Sequence, residues 1–160
     1  MYAKKLQANP HTSFMVSRLL YEKHIYDALD DNMKDIWGVH ICFSEIEDGS
    51  RMVFGCFSKD TQAFLGCAHG KIEDGYFVAH LLFKRKTKAL QACFLIEETL
   101  KEYCKKSNIQ LLGIKGYPAE KNLPAVNLIK KIGCVDTGIL DNVFFCNGNA
   151  VPCKIMIKEY

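Results

Sequence analysis

The sequence predicts an α/β (α+β) fold, a mixed and mostly antiparallel sheet flanked by helices, in a single domain spanning residues 1–160. Three observations predict it. Strand-like runs follow one another between residues 39 and 83, separated by tight-turn dipeptides. The apolar period then changes to that of a helix over residues 89–104. A strand, a short helix with a marked start and stop, and a hairpin complete the chain. At 160 residues the chain suits one core and is too short for two ordinary domains.

Taken in order, residues 10–30 read as helical, entered through Pro10 or the Thr12/Ser13 pair, with Phe14, Leu19, Leu20 and Leu29 among the apolar positions. Asp30, Asp31 and Asn32 can cap a second short helix ending near Trp37 and Gly38. Strand-like runs at 39–46, 52–57, 63–72 and 76–83 follow. Asp48-Gly49, Lys59-Asp60 and Asp74-Gly75 supply the turns, so the four runs read as an antiparallel meander. Ala89, Ala92, Cys93, Ile96, Leu100, Tyr103 and Cys104 recur at helical spacing behind Thr87 as N-cap, and mark the strongest helix. It leads to strand 109–116, and the connection from strand 76–83 is expected to be a right-handed parallel crossover. In the stretch 122–133, Asn122 caps a helix and Pro124 sits in its first turn, where a missing amide hydrogen costs nothing. Ala125, Leu128, Ile129 and Ile132 form its apolar stripe, and Gly133 ends it. Strands 135–146 and 151–158 follow, joined at Gly148-Asn149.

Composition limits the function. With 49% hydrophobic and 24% charged residues the chain reads as a globular protein. A net charge of +3, with no aromatics interleaved among the basic residues, gives no reason to expect nucleic acid. Charges interrupt every apolar run before the ~20 residues of a membrane span, so no membrane association is expected. Two lysines near the N-terminus have no apolar segment behind them, and no secretory signal is read there. The 8 cysteines include no Cys-x-x-Cys pair and the histidines are scattered, so no metal site is expected. They read as reduced core thiols in a cytoplasmic protein.

The residues that point to chemistry lie between strand 76–83 and the strong helix. Lys84, Arg85, Lys86, Thr87, Lys88 and Ala89 place cations around a helix N-terminus, where unpaired amides and a partial positive charge suit a pyrophosphate. A solvated basic turn is the alternative reading of the same residues. His80, inside an apolar strand, is either a hydrogen-bonded core residue or a base aimed into a cleft. His69 and Glu73 on the neighbouring run are further candidates, and Tyr117 is a candidate acid.

The strand, capped helix, Gly stop and terminal strands resemble the end of the Gcn5-related N-acetyltransferase (GNAT) family. That family carries an Arg/Gln-x-x-Gly-x-Gly/Ala loop between its fourth strand and a long helix. Here Lys84-x-x-Thr87-x-Ala89 stands in that place, with Thr87 in place of the first glycine. In the family's later motif Asn122, Ala125, Leu128 and Gly133 match, Cys134 replaces Phe, and Ile129 replaces a tyrosine that acts as general acid. The resemblance implies acetyl-CoA as cofactor, with its pyrophosphate on the loop that includes Arg85 and Ala89 and its pantetheine along Leu81, Leu82 and Phe83. It also implies an amine substrate, small molecule or peptide, deprotonated by His80 or a water it holds. The two replacements leave an alternative: a bacteriophage-encoded GNAT-like protein of head or internal virion assembly, a scaffold for other virion proteins in the host cytoplasm.

Overall fold

Strand β1 (Tyr2–Lys5) opens the chain and pairs antiparallel with β2 (Met52–Phe57) at the edge of a seven-stranded sheet. The computed structural model describes residues 1–160, apart from the side chains of Asn32 and Ile36. Between β1 and β2 lie α1 (Pro10–Leu20), α2 (Lys23–Tyr26), α3 (Asp31–Lys34) and α4 (Ile36–Asp48). Then come β3 (Phe64–Glu73), β4 (Tyr76–Phe83), α5 (Ala89–Lys106), β5 (Gly113–Gly116), α6 (Leu123–Lys131), β6 (Val135–Cys146) and β7 (Asn149–Glu159). The strand order is β1-β2-β3-β4-β5-β7-β6, antiparallel throughout except for the parallel β4–β5 pair.

Local chemistry explains most of these boundaries. Asn9 caps α1 by accepting from the Thr12 amide at 2.9 Å, and Pro10 takes the first helical position. Asn122 caps α6 in the same way, accepting from the Ala125 amide at 3.2 Å. At the other end of α6 Gly133 has φ +96°, and the Cys134 amide reaches the Ile129 carbonyl while Gly133 reaches Lys130. That pair of bonds is a Schellman motif, which needs the left-handed residue that glycine supplies. Asp74 and Gly75, at φ +50° and +82°, make the two-residue turn between β3 and β4.

Several expectations are corrected. Run 39–46 is not a strand but the body of α4: Val39, Cys42, Phe43 and Ile46 sit at helical spacing, and Cys42 and Ile46 are buried. The meander therefore has three of the expected strands, and β1 supplies the fourth. Gly49 is the left-handed C-cap of α4, so Asp48-Gly49 is not a hairpin turn. Residues 10–30 break after Leu20 into α1 and α2, and Trp37 and Gly38 lie in the first turn of α4. The last hairpin turns at Asn147-Gly148, one residue earlier than expected, because both adopt positive φ and Asn149 already pairs with Cys146. Strand 109–116 is shorter, Gly113–Gly116.

The sheet separates two apolar layers. On one face Val16, Leu19, Leu20, Ile25, Cys42 and Ile46 from the helices pack on Val53, Cys67 and Leu82. On the other, α5 lays Ala92, Ile96, Leu100 and Cys104 on Phe54, Cys56, Ala68 and Phe77. Each fully buried large side chain of this kind contributes about 1.5–3 kcal/mol. α6 covers the remaining part through Ile132, beside Cys93, Cys134 and Met156. At the far edge α3 holds the β6–β7 hairpin, because the Asp31 carboxylate accepts from the Asn147 and Gly148 amides at 3.1 and 2.8 Å.

Candidate active site

The parallel pairing of β4 with β5 covers only Tyr76, Phe77 and Val78 against Gly113, Ile114 and Lys115. Beyond it the strands diverge. β5 ends at Gly116, and the chain crosses toward β7: Pro118 accepts from the Lys154 amide, Glu120 donates to the Pro152 carbonyl, and Ala119 bridges to Cys153. Pro118 has no amide hydrogen with which to continue a ladder. Residues Ala79 to Phe83 of β4 therefore face an opening, and the Phe83 carbonyl accepts from His24 Nε2 at 2.9 Å.

Just beyond lies the basic turn. It is closed by the Thr87 amide on the Lys84 carbonyl at 3.0 Å and anchored by the Lys84 amide on the Leu65 carbonyl at 2.9 Å. Thr87 is not the N-cap of α5; that position is Lys88, and no side chain caps the helix. Thr87 instead donates its hydroxyl to the Leu65 carbonyl at 3.0 Å, which folds the side chain down onto β3. Among the described residues, no hydrogen bond occupies the amides of Arg85, Lys86, Lys88, Ala89, Leu90 or Gln91. Lys84, Arg85, Lys86 and Lys88 are exposed, and none is ion-paired among the described residues. Six open amides and four unpaired cations match a diphosphate in donor type and charge.

Under the divergence, on the α5 and α6 side, runs an apolar cavity of about 40 Å³. Leu81 lines it, with Ala79 and Phe77 of β4, Ile114 and Gly116 of β5, and Ile129 and Ile132 of α6. Phe83 packs nearby, against the layer formed by Ile132, Cys134 and Met156. Leu82 does not belong to this side. It is buried in the opposite core, and its carbonyl faces Gly66 of β3. Ile129 occupies the cavity wall next to Gly116 and offers no proton. Asn122 and Ala125 are joined to each other as the cap of α6, with Asn122 using its carbonyl oxygen there.

On the opposite face of β4, His80 is exposed and stacks on His69 of β3 with ring centroids 5.2 Å apart and planes 15° off parallel. His69 is 1% exposed, and its Nδ1 has no partner. The loss of solvent around it, and then the proximity of His80 and Arg51, hold its pKa far below the usual value. His80 has an exposed edge, but the protein packed around its ring, and secondarily the Arg51 guanidinium, lower its pKa to about 4. Arg51 and Lys71 both pair with Glu45, Arg51 at 2.9 Å, so this wall of the site sets two cations against one carboxylate and stays net positive. Tyr117 follows β5 and is half-exposed; burial and then the Glu73 carboxylate raise its phenol, which stays protonated at neutral pH. No hydrogen bond joins Tyr117 to His80 among the described residues.

The pairing of His69 with His80 was readable, since both stand equally far from the Asp74-Gly75 turn. Arg51 and His24 were not, because they reach the site from α4's end and from α2. Among the described residues, no three His, Cys, Asp or Glu side chains gather as metal ligands. Burial pushes the Cys93 thiol to about 12 and the Cys134 thiol to about 11, so both remain protonated and unreactive beside the cavity.

No family model and no curated protein matches the sequence. Solved structures do. A spermidine N-acetyltransferase from Vibrio cholerae, in complex with CoA and spermine, superposes with TM-score 0.73 at 17% identity, over 98% of this chain and 95% of that one. An acetyltransferase of the GNAT family from Streptococcus pneumoniae gives 0.68 at 15% identity, over 99% of each chain. A ribosomal-protein-alanine N-acetyltransferase from Brucella melitensis gives 0.68 at 10% identity, over 100% of each. At such identities the likeness is one of fold.

Proposed function

We propose that this chain, which carries the fold of the GNAT acetyltransferases, is an acetyl-CoA-dependent N-acetyltransferase acting on a small-molecule or peptide amine. One observation carries the reading: the opening between β4 and β5 leads straight to a turn with six unoccupied amides and four unpaired cations. When bound, acetyl-CoA supplies an acyl group whose bond to sulfur is exchanged for one to the amine nitrogen.

The chain's own residues would divide the remaining work. The amides and cations of the turn hold the diphosphate. Ala79, Leu81 and Phe83 guide the pantetheine along the open edge of β4, and the apolar walls from Ile129 and Ile132 exclude water. His80 enters unprotonated through neutral pH, because its pKa lies near 4. So weak a base still suffices, since the amine nitrogen becomes strongly acidic only as its lone pair commits to the carbonyl carbon. Tyr117, whose phenol stays protonated, would return a proton to the departing CoA thiolate.

Thermal unfolding with and without acetyl-CoA tests the reading. At a hundred times the dissociation constant a ligand adds about 2.7 kcal/mol of stability. The shift should vanish in Thr87→Trp/Ala89→Leu, whose side chains cover the amides. His80→Gln should keep the shift and lose on the order of a hundredfold in turnover. Ile129, without a proton to give, favours the second reading of a catalytically weakened scaffold, and no stabilisation at millimolar acetyl-CoA would transfer the assignment to it.

A further inference from the structure

We infer that the donor site is shaped for an acyl group longer than acetyl, a straight chain of about four carbons carried as its coenzyme A thioester. The inference rests on the reading above and concerns the depth of the same site. The cavity does not stop at the divergence of β4 and β5. It continues under β4 to Ala68 of β3, and is bounded there by Phe77, Ile96 and Leu100. Its space exists because small residues, Ala68, Ala79 and Gly116, stand where the sheet faces the long side chains of α5 and α6.

Size and polarity together name the occupant. At roughly 10–15 Å³ per water-sized group, about 40 Å³ holds about three such groups. An acetyl methyl would use one and leave space for about two more carbons. Water is a poor occupant, because it needs two or more polar partners. The charged groups at the cavity are already engaged. Glu97 holds Lys101 at 2.9 Å and Lys158 at 2.7 Å, and the Lys115 ammonium lies 4.7 Å from the Tyr76 ring centroid. What remains is an apolar pocket beneath β4, beside the divergence of β4 and β5 where the pantetheine would enter.

Dissociation constants for CoA, acetyl-CoA, butyryl-CoA and octanoyl-CoA, measured on the wild-type chain by thermal shift and by calorimetry, decide the matter. Each buried methylene is worth a factor of about four, so butyryl-CoA, with two more of them, should bind about fifteenfold more tightly than acetyl-CoA, while octanoyl-CoA, too long for the space available, should lose that gain. Ala68→Val narrows the pocket where β3 lines it and should bring the butyryl-to-acetyl ratio close to one; should it not fold, the chain-length series on the wild type stands alone. If CoA and acetyl-CoA bind but butyryl-CoA binds no better, the pantetheine itself fills the cavity and the inference is overturned, with the acetyltransferase reading intact. If CoA itself fails to bind, that reading falls first and the inference with it.

Discussion

Thr87 shows how a single side chain can depart from a pattern without closing a site. A glycine is expected where backbone meets phosphate, and a β-branched residue there would ordinarily crowd the approach. Its hydroxyl, bound to the Leu65 carbonyl at 3.0 Å, turns the side chain toward β3 and leaves the following amides open. Thr87→Val should therefore cost about 1 kcal/mol in a urea titration, the usual net worth of one hydrogen bond, because the isosteric methyl cannot donate to Leu65. The motif position was legible in the sequence, but the direction of the hydroxyl was not. It depends on where β3 lies, and β3 is brought there by a turn a dozen residues away.

Among the elements, α6 was the most legible, since both of its ends are written in local chemistry. Asn122, Pro124 and Gly133 fix its limits without help from the rest of the fold. Asn122→Ala should lower stability by about 1 kcal/mol, and Gly133→Ala by at least as much, because an alanine is strained at φ +96°. Equilibrium denaturation of both variants checks this, with the double variant expected to lose less than the sum if the helix frays as a unit. α4 is the opposite case. Its β-branched and aromatic residues imitate a strand, and packing on α1 through Cys42 and Ile46 decides in favour of the helix. β1 was missed because two lysines in a four-residue edge strand look like solvated chain, which is how edges are protected from unwanted pairing.

For the whole molecule, the order of strands and helices after residue 52 could be read from the sequence, and the divergence of β4 from β5 could not. It arises from the crossing of residues 117–122 to β7, a tertiary event with no local signature. The same three-dimensional assembly sets the response to acid. His69 and His80 are held below their usual pKa of 6.5, His80 near 4, so the unfolded chain binds more protons than the folded one between those values. Their contribution is therefore intact above pH 6.5 and is lost as the pH falls through that window. Urea midpoints at pH 7.5, 6.0 and 5.0 should decline more steeply for the wild type than for His69→Asn/His80→Gln. Parallel slopes would remove these two rings as the cause.

Among the described residues, three rungs from Tyr76 to Val78, with the Leu112 amide on the Gly75 carbonyl beside them, join β4 to β5. Past them no backbone ladder ties β4 to β5, and side-chain packing around Leu81, Phe83, Ile129 and Ile132 bridges the gap instead. The fold thus leaves an unladdered seam next to the basic turn, so that a parting of the sheet and a cluster of cations share one end of β4.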